Sequence, residues 1–226
     1  MLQPNDRILF QGDSVTDTGR DRELADANAG PALGRGYALF ASAHLLAEQP
    51  EAGYQFLNRG ISGNNVTELA ARWQVDCLDL APDVLSVLIG VNDSGHAELA
   101  ASERHVPHDA YEATYRRIIA AARQANPALR LVLCEPFAIK AGPVTDGWIA
   151  DVRRRGEIVR KLAAELDAVF VPFQQVFDEA LELAGPEHWM PDGFHPTVAG
   201  HMLMARCWLE RVGAAVGEGI ATNEHE

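Results

Sequence analysis

Cysteine is scarce in this chain. Cys77, Cys134 and Cys207 are the three it has, an odd number, widely spaced and each inside an apolar run. No Cys-x-x-Cys pair occurs, so a disulfide framework is excluded and buried free thiols are expected. Basic residues are also in the minority: 19 Lys and Arg stand against 32 Asp and Glu, for a net charge of −13 and a pI near 5.0. A field of that sign repels nucleic acid and anionic membrane, and favours solubility. No apolar run approaches the roughly 20 residues that cross a bilayer. Residues 1–6 hold neither a basic segment nor an apolar one, so no secretory signal is expected and the expected location is cytoplasmic. Internal repeats and low-complexity stretches are missing too.

What remains is an ordinary globular composition, 47% hydrophobic and 23% charged. A chain of 226 residues fits one α/β domain, with a core over residues 7–212 and a polar, acidic tail at 214–226 expected to fray. Five short β-like runs, 7–11, 54–58, 84–89, 129–134 and 168–171, alternate with helical ones. Helices are expected at 37–48, 66–80, 107–125, 146–167, 173–183 and 197–212, the last apolar nearly all round and hence well buried. Asn65 with Glu68 three residues on reads as an N-cap and its capping-box partner. Residues 17–36 read as a loop. The alternation implies parallel pairing through right-handed crossovers, hence a three-layer α/β/α sandwich around an open sheet. In such sheets ligands bind beyond the carboxyl ends of the strands.

Residues capable of chemistry fall in those segments. Strand one runs into Gly12-Asp13-Ser14, strand two into Gly63-Asn64, strand three into Gly90-Val91-Asn92-Asp93 and strand four into Glu135; the fifth leads through one helix to Pro191-Asp192-Gly193-Phe194-His195-Pro196. A serine hydroxyl attacks only when a neutral imidazole takes its proton, and His195, held between two prolines, is the candidate base. Asp192, three residues before it, can accept from Nδ1–H and fix the tautomer. The Ser14 and Gly63 backbone N–H groups and the Asn92 amide are candidate donors to an oxyanion. Taken singly, Gly-Asp-Ser is an ordinary turn, an asparagine after a strand is an ordinary cap, and one of eight histidines falls near any motif. A metal site at Asp192, His195 and His201 lacks a third acidic or cysteine ligand. Thr16 stands where the Gly-x-Ser-x-Gly elbow needs its second glycine.

Together, Gly12-Asp13-Ser14, Gly63 within 58–64, Asn92 within 90–93 and Asp192-Gly193-Phe194-His195-Pro196 resemble the four blocks of the SGNH (GDSL) hydrolases, in order and spacing, from residue 7 to about residue 212. The resemblance implies a five-stranded flavodoxin-like sheet of order 2-1-3-4-5. It implies Ser14 as nucleophile, His195 as base, Asp192 as its partner, and Ser14, Gly63 and Asn92 as the oxyanion hole, with no metal or organic cofactor. Residues 12–20, Ala71-Arg72-Trp73 and residues 195–201 further resemble the intracellular bacterial acetylxylan esterase branch, with Val15 where isoleucine is usual. The expected activity is removal of acetyl or another short acyl group from a small-molecule or oligosaccharide ester. A lysophospholipase, thioesterase or arylesterase would use the same machinery, and a non-catalytic carbohydrate-binding protein could keep the fold.

Trp189 is a candidate wall of an acyl pocket or a sugar platform, and equally a structural tryptophan. Glu135 is a candidate cleft residue. Asp13 and Asp17 are expected to satisfy turns and N–H groups. The run Arg153-Arg154-Arg155, with Arg160 and Lys161, reads as a solvated helix face or as a contact in a homo-oligomer, not as a ligand site.

Overall fold

The computed structural model describes residues 1–94 and 104–213, so the expected tail lies outside the described residues. Five strands, β1 (Arg7–Gly12), β2 (Gln55–Asn58), β3 (Val84–Leu88), β4 (Arg130–Cys134) and β5 (Val169–Val171), pair in parallel in the order β2-β1-β3-β4-β5. This is the expected order. The helices are α1 (Ser14–Asp17), α2 (Gly30–Leu33), α3 (Tyr37–Glu48), α4 (Val66–Ala71), α5 (Trp73–Asp76), α6 (His108–Ala125), α7 (Asp146–Glu165), α8 (Phe173–Ala180), α9 (Pro186–Trp189) and α10 (Val198–Arg211).

The strands are apolar on both sides because both faces are covered. Successive side chains leave a strand in opposite directions, and β1 shows it. Ile8 and Phe10 pack with Tyr37 and Leu45 of α3, Phe173 and Phe177 of α8, and Met204 and Trp208 of α10. Leu9 packs on the other side with Leu69 of α4, Trp73 of α5, Tyr111 and Ile118 of α6, and Leu162 of α7. The one polar side chain in the middle of β3, Ser86, is used: its Oγ accepts the indole N–H of the fully buried Trp208 at 3.0 Å. An unpartnered indole there would cost a desolvation penalty of about 1–3 kcal/mol.

Some expectations need correction. The helix read over 66–80 breaks at Arg72, whose φ of −104° and ψ of 8° end α4; α5 and a 3-10 turn at Leu78–Leu80 complete the stretch. Its start is as read, with the Asn65 side chain accepting from Thr67 and Glu68 N–H and Glu68 returning the bond to Asn65 N–H. The segment 17–36 contains α2, closed by Leu33 packed in the core. The last helix, α10, is not buried all round, since Val198 and Met202 are exposed. Among the described residues no helix is long and apolar enough to cross a membrane.

Candidate active site

The neighbours of β1 in the sheet are β2 and β3, so the chain switches direction there, and the segments leaving all three carboxyl ends share one rim. Ser14 comes first. It opens α1, where the sequence suggests only a turn. Asp13 is the N-cap, its Oδ1 accepting Val15 N–H at 3.0 Å, and the Thr18 N–H closes the helix onto the Ser14 carbonyl. A helix of one turn therefore fixes the backbone beneath the serine hydroxyl.

The far end of the chain brings the partner. His195 Nε2 lies 2.8 Å from Ser14 Oγ, and His195 Nδ1 lies 2.7 Å from Asp192 Oδ2. A carboxylate on Nδ1 keeps the proton on that nitrogen, which leaves Nε2 free to accept from the serine hydroxyl. Asp192 is held in turn, because its Oδ1 accepts the backbone N–H groups of Phe194 at 3.1 Å and His195 at 2.8 Å. Burial alone would push the Asp192 carboxyl up, yet the bonds from the His195 backbone and ring and the Phe194 N–H outweigh it and hold it below its usual value of 3.8. The loop can bend this sharply because residue 193 is glycine. Its φ is +89°, and a Cβ there would sit 2.5 Å from Val144 and 2.7 Å from the carbonyls of Ala141 and Ile139. Both side chains of the pair remain open to solvent, 45% for His195 and 39% for Asp192.

Gly63 and Asn92 meet through a shared neighbour. Asn92 begins a 3-10 turn at Asn92–Ser94, and its Nδ2 donates to the Asn64 carbonyl at 3.0 Å. Above Gly63 the space is open: the nearest atom to the point a Cβ would occupy is an Arg104 nitrogen 4.0 Å away. Arg104 donates to the Gly63 carbonyl and pairs with Glu68 at 3.2 Å. Asp93, next to Asn92, is buried, and its Oδ1 accepts Val66 N–H at 3.0 Å, the first residue of α4. Burial pushes Asp93 up to about 6. An arrangement of this kind can take a proton from a hydroxyl, hold the resulting imidazolium beside a carboxylate, and present N–H donors to a developing oxyanion.

Trp189 and Glu135 engage the scaffold. Trp189 is 9% exposed in the core layer of α8 and α10, and its indole N–H donates to the Ala184 carbonyl at 3.2 Å. The Glu135 carboxylate accepts Gln174 N–H at the start of α8 at 3.1 Å and faces Arg160 at 3.5 Å. The basic run divides. Arg153 lies on the surface, paired with Asp178 at 2.8 Å. Arg155 is fully buried, which corrects its reading as part of a solvated face. Its Nη2 donates to the carbonyls of Asp93 at 3.1 Å and Val106 at 2.7 Å, and its Nε to Asp151 at 3.1 Å. Among the described residues no three His, Cys, Asp or Glu side chains converge as metal ligands would.

Two anchoring residues carry weaker signals in the sequence. Asn58, at the end of β2, donates to the carbonyls of Thr16 at 2.6 Å and Leu33 at 2.9 Å and accepts Gly60 N–H at 2.8 Å. Asp17 accepts the Ser62 N–H at 2.9 Å and hydroxyl at 2.8 Å and pairs with Arg22. Both join the Ser14 turn to the Gly63 loop. A polar residue closing an otherwise apolar strand is the signal that could have singled out Asn58.

Residues 10–203 match the profile of the GDSL-like Lipase/Acylhydrolase family. An acetylxylan esterase of Geobacillus stearothermophilus is 38% identical over 211 residues, covering 92% of this chain and 94% of that protein. A crystal structure of an acetylxylan esterase from the same organism superposes with a TM-score of 0.85 at 36% identity, over 93% of this chain and 95% of that one. An alpha/beta hydrolase enzyme from the metagenome of Lake Arreo, Spain, superposes with a TM-score of 0.86 at 32% identity, over 94% and 97% of the two chains. With the sheet order, the rim and these likenesses in agreement, the chain belongs to the GDSL-like lipase/acylhydrolase (SGNH) family of ester hydrolases.

Proposed function

We propose that this protein is a serine esterase that removes acetyl or another short acyl group from a carbohydrate, acting in the cytoplasm as one catalytic domain. The observation that carries the reading is the relay from Ser14 Oγ to His195 Nε2 at 2.8 Å and from His195 Nδ1 to Asp192 at 2.7 Å. Ser14 Oγ attacks the ester carbonyl while its proton passes to His195 Nε2, and Asp192 stabilises the imidazolium. The Ser14 and Gly63 N–H groups and the Asn92 amide receive the oxyanion, each such donor lowering the barrier by about 2.7–4 kcal/mol. Collapse expels the sugar alkoxide, which takes the proton from His195 and leaves acyl-Ser14. A water then gives its proton to His195 and attacks the acyl carbon; collapse of that adduct returns the proton to Ser14 and releases the acid.

Two things support the sugar ester in particular: the likeness to an acetylxylan esterase along the chain, and the open face of His195, which leaves room for a bulky alcohol. The test is acetate release from a panel of acetylated oligosaccharides, alongside p-nitrophenyl esters of increasing chain length. Acetate release that disappears in Ser14→Ala is expected. A preference for acyl chains of about eight carbons or more would favour a lipid or thioester substrate, and wild-type protein that turns over no ester would favour a carbohydrate-binding role.

A further inference from the structure

The helix that breaks at Arg72 does so at a residue whose guanidinium meets five acceptors. Arg72 Nε donates to Asn64 Oδ1 at 2.7 Å. Its Nη1 donates to Gln11 Oε1 at 3.0 Å, to the Arg59 carbonyl at 2.6 Å and to Asp76 Oδ2 at 3.0 Å. Its Nη2 donates to the Gly12 carbonyl at 3.0 Å. All of these acceptors but Asp76 belong to β1 or the loop after β2, segments whose relative placement an oxyanion hole depends on. Gly12 lies two residues before Ser14, and Asn64 directly follows Gly63. The carbonyl of Asn64 accepts the Asn92 side-chain amide at 3.0 Å. One side chain, 14% exposed, therefore reaches the carboxyl end of β1, the loop after β2 and, through Asn64, the turn after β3.

We propose that Arg72 is a positioning residue for the oxyanion site, its guanidinium setting the spacing between the Ser14 N–H, the Gly63 N–H and the Asn92 amide. The inference rests on the esterase reading above. A planar fork with five donors suits the task because it meets acceptors in several directions at fixed angles, which an ammonium group on a flexible stem does not. The geometry also explains the break in the helix. Apolar residues continue at helical spacing through Trp73 and Cys77, but the φ and ψ of Arg72 (−104°, 8°) end α4 at the residue whose guanidinium turns in toward Gly12 and Asn64. Donors displaced by a fraction of an ångström lose contact with the tetrahedral state more than with the planar ester, so the loss falls on kcat.

The test uses the full chain with Arg72→Lys and Asn64→Ala, singly and together. It measures kcat and KM for p-nitrophenyl acetate, inhibition by phenylboronic acid as a tetrahedral adduct on the serine, and thermal unfolding. Arg72→Lys is expected to lower kcat by roughly 10–100-fold, less than the 10²–10³ that removal of a donor costs. KM should stay within about twofold and boronate affinity should fall in step with kcat. Asn64→Ala removes the Nε acceptor and keeps the backbone carbonyl that holds Asn92. It should give a smaller loss of the same kind, and the double variant should be no worse than Arg72→Lys within about twofold, because the two act on one contact. A kcat within about twofold of wild type in Arg72→Lys, a loss confined to KM, or losses that multiply in the double variant would each overturn the proposal. If Arg72→Lys does not fold, Asn64→Ala decides alone: an unchanged kcat and boronate affinity overturn it. Wild-type protein inactive on every ester removes the esterase reading itself, whereas an active wild type with an unaffected Arg72→Lys removes only this inference.

Discussion

Asp192 holds His195 twice, its Oδ1 on the backbone N–H at 2.8 Å and its Oδ2 on ring Nδ1 at 2.7 Å. One carboxylate thus shapes the loop and orients the ring. The two tasks separate in Asp192→Asn. An asparagine oxygen can still accept the backbone N–H groups of Phe194 and His195, but its NH₂ then faces Nδ1 and forces the proton to Nε2, the nitrogen 2.8 Å from Ser14 Oγ. Asp192→Asn is expected to lower kcat by a factor on the order of 10⁴, as tautomer reversal does in serine proteases. Its unfolding temperature at neutral pH should stay close to wild type. Steady-state kinetics with thermal unfolding measures both, and wild-type kcat in the variant would remove Asp192 from the relay.

The pH dependence of activity follows from the same pair. Asp192 is held below 3.8, so it is ionised throughout the neutral range and protonates only in strong acid. No loss of kcat/KM between about pH 5 and 8 is therefore expected to come from Asp192, because the carboxylate facing His195 Nδ1 stays charged across that range. The kcat/KM profiles of wild type and Asp192→Glu check this, and an acid limb in that range that moves with the substitution would overturn it.

The open parallel sheet was legible because strands alternate with helices, whereas its order came only with the resemblance to the SGNH hydrolases; the blocks after β1, β2 and β3 could be read because a rim residue follows its strand within a few positions. Arg72 and Arg155 were not legible. Local sequence shows an arginine as a charge for solvent, and only the folded chain reveals backbone carbonyls converging from distant segments. For Arg155 these are the carbonyls of Asp93 and Val106, and for Arg72 those of Gly12 and Arg59. The break at Arg72 was hidden for the same reason, since helical periodicity persists on either side of it. The short helix at Ser14 is not legible either, because four residues carry no period.

His201 supplies a stability prediction in acid. It is 4% exposed, and its Nδ1 accepts Tyr37 N–H at 3.3 Å. Burial first, and then the nearby His195, lower it from 6.5 to about 4. The unfolded chain therefore binds a proton that the folded chain refuses, and stability falls as pH drops from 6.5 toward 4. The loss from this residue is up to about 3 kcal/mol. Urea unfolding at neutral pH and near pH 4 should show that slope, and His201→Gln should flatten it. Equal slopes in the two proteins would mean that another group controls acid unfolding.

Asp13 predicts the opposite slope. Its carboxyl is 1% exposed, and burial raises it to about 7, with Val15 N–H and Arg72 opposing the rise and Asp93 adding to it. Between 3.8 and about 7 the folded state holds a proton that the unfolded state has released, so this group's contribution to stability is greatest in acid and declines as pH rises through that window. Asparagine caps helices about as well as aspartate, and its oxygen can still accept Val15 N–H. Asp13→Asn is therefore expected to be more stable than wild type at pH 8 by roughly 2–4 kcal/mol, with the advantage shrinking toward acid. Urea midpoints for both proteins across this range measure the difference, and the comparison cancels the His201 slope they share. A variant that is no more stable than wild type at pH 8, or whose advantage does not change with pH, would show that Asp13 does not hold the proton its burial implies.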